Sequence, residues 1–112
     1  MGELLEARLF LLQRVTAMLL APLVLVHLVV MLYAVHGGLS AAEILSRTQG
    51  SVAWALFYGV FVLAVALHAP IGLRSILREW TSMSASTALT VSGLFGLVLL
   101  VLGLRAVWAV TA

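Results

Sequence analysis

The chain has 112 residues, is 64% hydrophobic and carries six basic residues against four acidic ones, with no lysine among them. A mean hydropathy of +1.24 places it with membrane proteins rather than soluble domains. Arginines spread around long apolar runs fit membrane edges and set nucleic acid aside as a partner, while the absence of cysteine removes any disulfide framework, thiolate metal site or thiol nucleophile.

The chain opens on MGELLEARLFLLQR, where Glu3 and Glu6 precede the apolar run. No small-residue cleavage pattern follows, so this stretch does not read as a removed signal peptide, and Gly2 lacks the downstream Ser or Thr of a myristoylation motif. Crossing about 30 Å of hydrocarbon at about 1.5 Å per residue takes roughly 20 apolar residues. Three segments qualify: Val15 to Val35, Val52 to Leu73 and Ala88 to Val110. Backbone groups must be satisfied inside lipid, so each is expected to be a helix, giving a single all-α domain of three transmembrane helices. After the first span, Gly37 and Gly38 are expected to stop the helix, and a short amphipathic turn through Ala41 to Leu45 follows. After the second comes the polar connection REWTSMSASTA, with capping candidates at Ser84 and Ser86. Pro22 frees the carbonyl of Met18 and Pro70 that of Ala66, each permitting a bend. Ser92, Gly96 and Gly103 form a strip on the third helix where another helix can approach closely.

Arginine placement gives the orientation, because basic residues accumulate on the cytoplasmic side. Arg8, Arg14, Arg74 and Arg78 share the side of the N-terminus, against Arg47 and Arg105 elsewhere. The N-terminus is therefore expected in the cytoplasm and the C-terminus outside. Glu43 and Arg47 are spaced for a weak i, i+4 surface pair, and His36 is read as a solvated loop residue beside the two glycines.

An ionisable residue inside a span is costly without a partner and is a functional candidate for that reason. His27 and His68 are the two such residues. A neutral imidazole is a good ligand for haem iron, and on a helix His68, Gly72, Ser75 and Glu79 fall on one face, with Gly72 leaving room one turn from the imidazole. The alternative for His68 is a histidine hydrogen-bonded between helices. If the arginines of both helices mark one level, His27 lies some 5 to 10 Å deeper than His68 by the helical rise. The two are then not expected to share one iron. His27 is read as a histidine bonded to a neighbouring helix, with a second, more distal haem as the alternative.

These residues carry a resemblance. His68, Ala69, Ile71, Gly72 and Glu79 resemble the second helix of the membrane-anchor subunits of succinate:quinone oxidoreductase, the complex II family that includes fumarate reductase. His68, Gly72 and Arg74 fit the H-x-x-x-G-x-R pattern of that family's larger cytochrome b subunit, and LQRVTAMLL resembles the arginine-then-Ser/Thr opening of its first helix. The resemblance implies that His68 is an axial ligand of haem b, its metal being the haem iron, with the other ligand from a second membrane anchor subunit. It implies that Arg14 lies near the haem propionates or the quinone, where a fork of donors suits either. Glu79 and Trp80 match an acidic residue and a quinone-contacting tyrosine; the indole donates a hydrogen bond but cannot accept one, and tryptophan is also favoured as an interfacial anchor. Gln13 stands where the larger subunit has histidine. Flavoprotein and iron–sulfur subunits are implied as partners, quinone as substrate, and the cell's inner membrane as location.

Two other readings are weighed beside this one. A proton-coupled transporter wants a carboxylate within a span, and none lies there; a haem-free structural anchor remains. A homodimer with two copies of His68 on one haem is the third arrangement.

Overall fold

The computed structural model describes residues 2–112, and they are helical nearly throughout. Helix α1 runs Glu3–His36, the short α2 Ala41–Thr48, α3 Val52–Trp80 and α4 Ala85–Thr111. The three long helices are each apolar enough to cross a membrane. Their helical hydrogen bonding continues past the apolar spans: α1 has 34 residues, about 51 Å of helix against about 30 Å of hydrocarbon. The connection after α3 is correspondingly shorter than its polar composition suggests. Helix α3 holds to Trp80, and α4 begins directly after Ser84, whose hydroxyl accepts from the Thr87 N–H at 3.3 Å. Ser86 lies inside α4 and is not the cap.

The α1–α2 turn follows the glycines as expected. The Gly37 N–H reaches the Tyr33 carbonyl at 3.0 Å, and Gly38 takes φ +89°, a left-handed conformation that glycine adopts without penalty. Ser40 then caps α2 by accepting from the Glu43 N–H. Helix α2 is fastened to the end of α4. The Thr48 hydroxyl donates to the Val110 carbonyl at 2.6 Å and the Gly50 N–H to the Thr111 carbonyl at 2.9 Å, so α2 and the turn after it supply donors to carbonyls that a helix end leaves unpaired.

Helix α3 is the one that packs against both of the other long helices, α1 and α4. The α3–α4 seam is built from small residues. Ala88, Ser92 and Gly96 are buried on α4, and a methyl group at Gly96 would lie 2.6 Å from the Pro70 ring and 3.1 Å from the Ala66 carbonyl. At Gly103 it would meet Val62 at 2.5 Å. Without a hydrophobic force between helices in lipid, close backbone approach of this kind is what holds them. Most large apolar side chains accordingly face outward: Phe10, Leu25 and Leu32 are 64–69% exposed.

Candidate functional site

Helix α1 buries Thr16, Leu20 and Ala34 and half-buries His27. Thr16 is the residue that meets His68: its hydroxyl oxygen lies 3.1 Å from His68 Nδ1. The same hydroxyl lies 2.8 Å from the Leu12 carbonyl, the preceding-turn acceptor that helical threonines commonly use. A hydroxyl has one proton. With that proton on the Leu12 carbonyl, Thr16 accepts from His68 Nδ1–H, and the imidazole is held in the tautomer whose lone pair sits on Nε2. His68 is thus bonded between helices through Nδ1, and in that tautomer Nε2 keeps its lone pair. A ring nitrogen fixed by a second partner is the usual arrangement of a metal-binding histidine.

Toward the N-terminal end, Arg74 is 7% exposed although it is an arginine on a membrane helix. Its partner is Glu6, with Nη2 to Oε1 at 2.5 Å and Nη1 to Oε2 at 3.4 Å. The guanidinium, through this hydrogen bond first, holds the Glu6 carboxyl below the usual carboxylate range. Two residues of the first span's approach and α3 sit beside this pair. Gln13 packs against Gly72, where an added methyl would come 3.5 Å from the amide nitrogen, and the gap at Gly72 therefore receives α1's amide rather than open space. The Gln13 Oε1 and Arg74 Nε atoms are buried without a hydrogen-bond partner among the described residues. Neither Glu6 nor the burial of Arg74 was read from the sequence. The available signal was one acid and one arginine at the same end of two adjacent spans.

The other expected site residues are not gathered with His68. Arg14 is exposed on the side of α1 away from Thr16, its guanidinium 5.7 Å from the Phe10 ring centre. Glu79 and Trp80 end α3 in exposed positions, Trp80 at 81%. Since Gln13 packs at Gly72, seven residues before Glu79, about 10 Å of helix separates the level of Arg14 from that of Glu79.

His27 stands in the opposite half of the bundle. Its ring lies edge-to-face with Tyr58 and Phe61, centroids 5.7 and 5.3 Å away, and its Nδ1 is buried without a partner among the described residues. The expected hydrogen bond to a neighbouring helix is replaced by aromatic packing. Eleven residues of α1 separate His27 from Thr16, and seven to ten of α3 separate its aromatic neighbours from His68, so the two histidines differ in depth by about 10 to 16 Å. This exceeds the 5 to 10 Å expected, because Arg74 is level with Glu6, two turns before Arg14, and the arginines do not mark one plane.

Among the described residues no group of three or more histidine, cysteine or acidic side chains is placed to hold a metal ion. Comparison with curated proteins and with solved structures gave no match. A family model described as succinate dehydrogenase/fumarate reductase transmembrane subunit matches residues 2–104.

Proposed function

We propose that this chain, which belongs to the succinate dehydrogenase/fumarate reductase transmembrane-subunit family, is a haem b-binding anchor of a succinate:quinone oxidoreductase in the cell's inner membrane. The observation that supports this most directly is the Thr16–His68 hydrogen bond, which leaves Nε2 of a mid-membrane imidazole available to iron. When bound, haem b supplies a one-electron store between soluble redox centres and quinone.

The residues of this chain have separate tasks in that reading. Thr16 orients the ring and fixes its tautomer. Arg14, projecting from the outer side of α1, offers its donors to propionates at the border with a neighbouring subunit. Glu79 and Trp80 lie at the exposed end of α3, at the mouth by which a quinone reaches the bundle and where iron–sulfur and flavoprotein subunits dock. The N-terminal end faces the cytoplasm. Succinate is not oxidised by this chain, whose part is to anchor, ligate and shape.

His27 lies too deep to share an iron with His68, so the second axial ligand comes from outside the chain, from another anchor subunit or a second copy of this one. A distal haem at His27 would have to displace the Tyr58 and Phe61 contacts, and the reading adopted has one haem at His68. The test is the reduced-minus-oxidised spectrum of the purified complex. A b-type absorption is expected in the wild type and is lost in His68→Leu; a wild-type complex without that absorption overturns the haem assignment and leaves a haem-free anchor.

A further inference from the structure

The Thr16–His68 and Glu6–Arg74 pairs lie on the contact between α1 and α3. Beside that contact a hollow of about 480 Å³ opens between α1, α3 and α4, walled by leucines, Ala66, Pro70, Ile71, Gly93 and Gly96. Along α3 it runs from Leu63 to Ile71, about 12 Å of helix against about 15 Å for half of the hydrocarbon. It is thus a groove of one leaflet's depth with an aliphatic wall. Around α3, Leu63, Leu67 and Pro70 stand about 100 to 160° from His68. The groove therefore opens on a different face from the imidazole and from the subunit that would complete an iron there.

Cations stand at its N-terminal end. Leu12 lines the groove and also a shallower hollow with Arg8, Leu11 and Val15, so Arg8 stands over the same stripe of α1. On α3, Arg78 lies within about 80° of Leu63, Leu67 and Pro70, and it is held by donating to the Met83 carbonyl at 3.2 Å. The two arginines are level. Helices α1 and α3 run antiparallel with Thr16 at His68 and Gln13 at Gly72, and the same register carried on to Arg8 reaches Leu77, next to Arg78. Both arginines are exposed. Among the described residues the ion pairs are Glu43–Arg47 and Glu6–Arg74, so neither Arg8 nor Arg78 has a carboxylate partner. The acids of α1, Glu3 and Glu6, lie about 140 to 160° around the helix from Arg8. A net positive rim above an aliphatic groove is complementary to an anion carried on an acyl chain. A zwitterionic head group brings its own cation and does not neutralise that rim.

We infer that this groove seats a phospholipid with an anionic head group, its phosphate between Arg8 and Arg78 and an acyl chain along Pro70, Leu67 and Leu63. The inference rests on the membrane-anchor reading and needs neither haem nor quinone. Anionic lipids are a feature of the cytoplasmic leaflet, and basic pockets between membrane helices on that side bind their head groups; this is the leaflet expected at the N-terminal end. Gly93 makes the room: it lines the groove, and a methyl there would meet nothing within 4 Å.

The test uses the purified complex, delipidated in mild detergent and supplied with dioleoyl-phosphatidylglycerol, dioleoyl-phosphatidylcholine or inorganic phosphate. Native mass spectrometry counts the lipids retained and the subunits present. The wild type is expected to hold phosphatidylglycerol about tenfold more tightly than phosphatidylcholine. Arg8→Gln and Arg78→Gln are each expected to weaken phosphatidylglycerol about fivefold and phosphatidylcholine little. Arg105→Gln, near the far end of α4, changes neither. Gly93→Leu fills the groove and is expected to abolish retention, whereas Gly93→Ala preserves it. If Gly93→Leu prevents assembly, the two exposed arginines carry the comparison. Equal affinity for the two lipids, arginine variants that bind as the wild type does, or inorganic phosphate binding as tightly as the lipid overturns the site. Loss of a subunit from Gly93→Leu with lipid retention unchanged also overturns it and makes the groove a protein interface. The b-type absorption is read separately, so the haem assignment stands or falls apart from these outcomes.

Discussion

At the scale of single residues, the chemistry is concentrated in two cross-helix contacts, Thr16 with His68 and Glu6 with Arg74. Replacing Thr16 by valine keeps the shape and removes the partner of Nδ1. Loss of a partner of this kind lowers metal affinity about 10- to 100-fold, so Thr16→Val is expected to assemble with sub-stoichiometric haem, checked by the haem-to-protein ratio after purification, whereas Thr16→Ser restores full occupancy. The second contact has a pH signature. Because Arg74 lowers the Glu6 pKa from its ordinary 4.5, the folded state holds the carboxylate more strongly than the unfolded chain does. The stabilisation is present above that ordinary value and is lost as pH falls through the lowered one. The thermal midpoints of wild type and Glu6→Gln are therefore expected to differ by a constant amount above the ordinary carboxylate value and to converge as pH falls through the lowered one; a gap that persists in acid would show that the pair contributes by packing alone. His68 was legible in the sequence because an imidazole in an apolar run is conspicuous. Arg74 was visible only as a member of a pattern, since its burial depends on which residue of another helix arrives beside it, and spacing along one helix carries no such information.

At the scale of elements, α3 and α4 are joined through backbone proximity. Gly96 faces Pro70, and a methyl there would sit 2.6 Å from the ring. Gly96→Ala is expected to destabilise the complex by about 1–3 kcal/mol through overpacking, while Gly93→Ala, where a methyl meets nothing within 4 Å, is expected to be neutral or stabilising by up to about 1 kcal/mol from helix propensity. The midpoint for loss of the haem absorption on heating distinguishes the two; equal midpoints would mean that the seam yields easily. The spans, both glycine stops and the small-residue strip were readable from hydropathy and composition. The helix ends were not, because apolar length marks what lies in lipid, and hydrogen bonding carries α1 and α3 beyond it into Glu3 to Arg14 and Arg74 to Trp80. For the same reason the expectation that Arg14, Glu79 and Trp80 form one cluster met a structure in which the level of Arg14 is set by Gln13 on Gly72.

At the scale of the whole molecule, α3 is the helix that packs against both α1 and α4. In the haem reading His68, at the level of Thr16, would supply one ligand, and a six-coordinate iron needs a second. The mass of the intact membrane part is therefore expected to correspond to this chain with one further anchor, a different subunit or a second copy. A mass for a single copy alone would contradict the shared-haem arrangement.

Pro70 has a bearing on how the backbone of the span is satisfied. A proline inside a membrane helix frees a carbonyl that water often satisfies, and water at mid-membrane is a route for charge. Here the freed carbonyl of Ala66 faces the bare backbone of Gly96, close enough that a methyl there would touch it at 3.1 Å. The freed carbonyl is thus covered by the backbone of a neighbouring helix. A polar contact and a close-packed one thus follow each other on one helix: Arg74 pairs with Glu6, and one turn further in Pro70 packs on the bare backbone of Gly96.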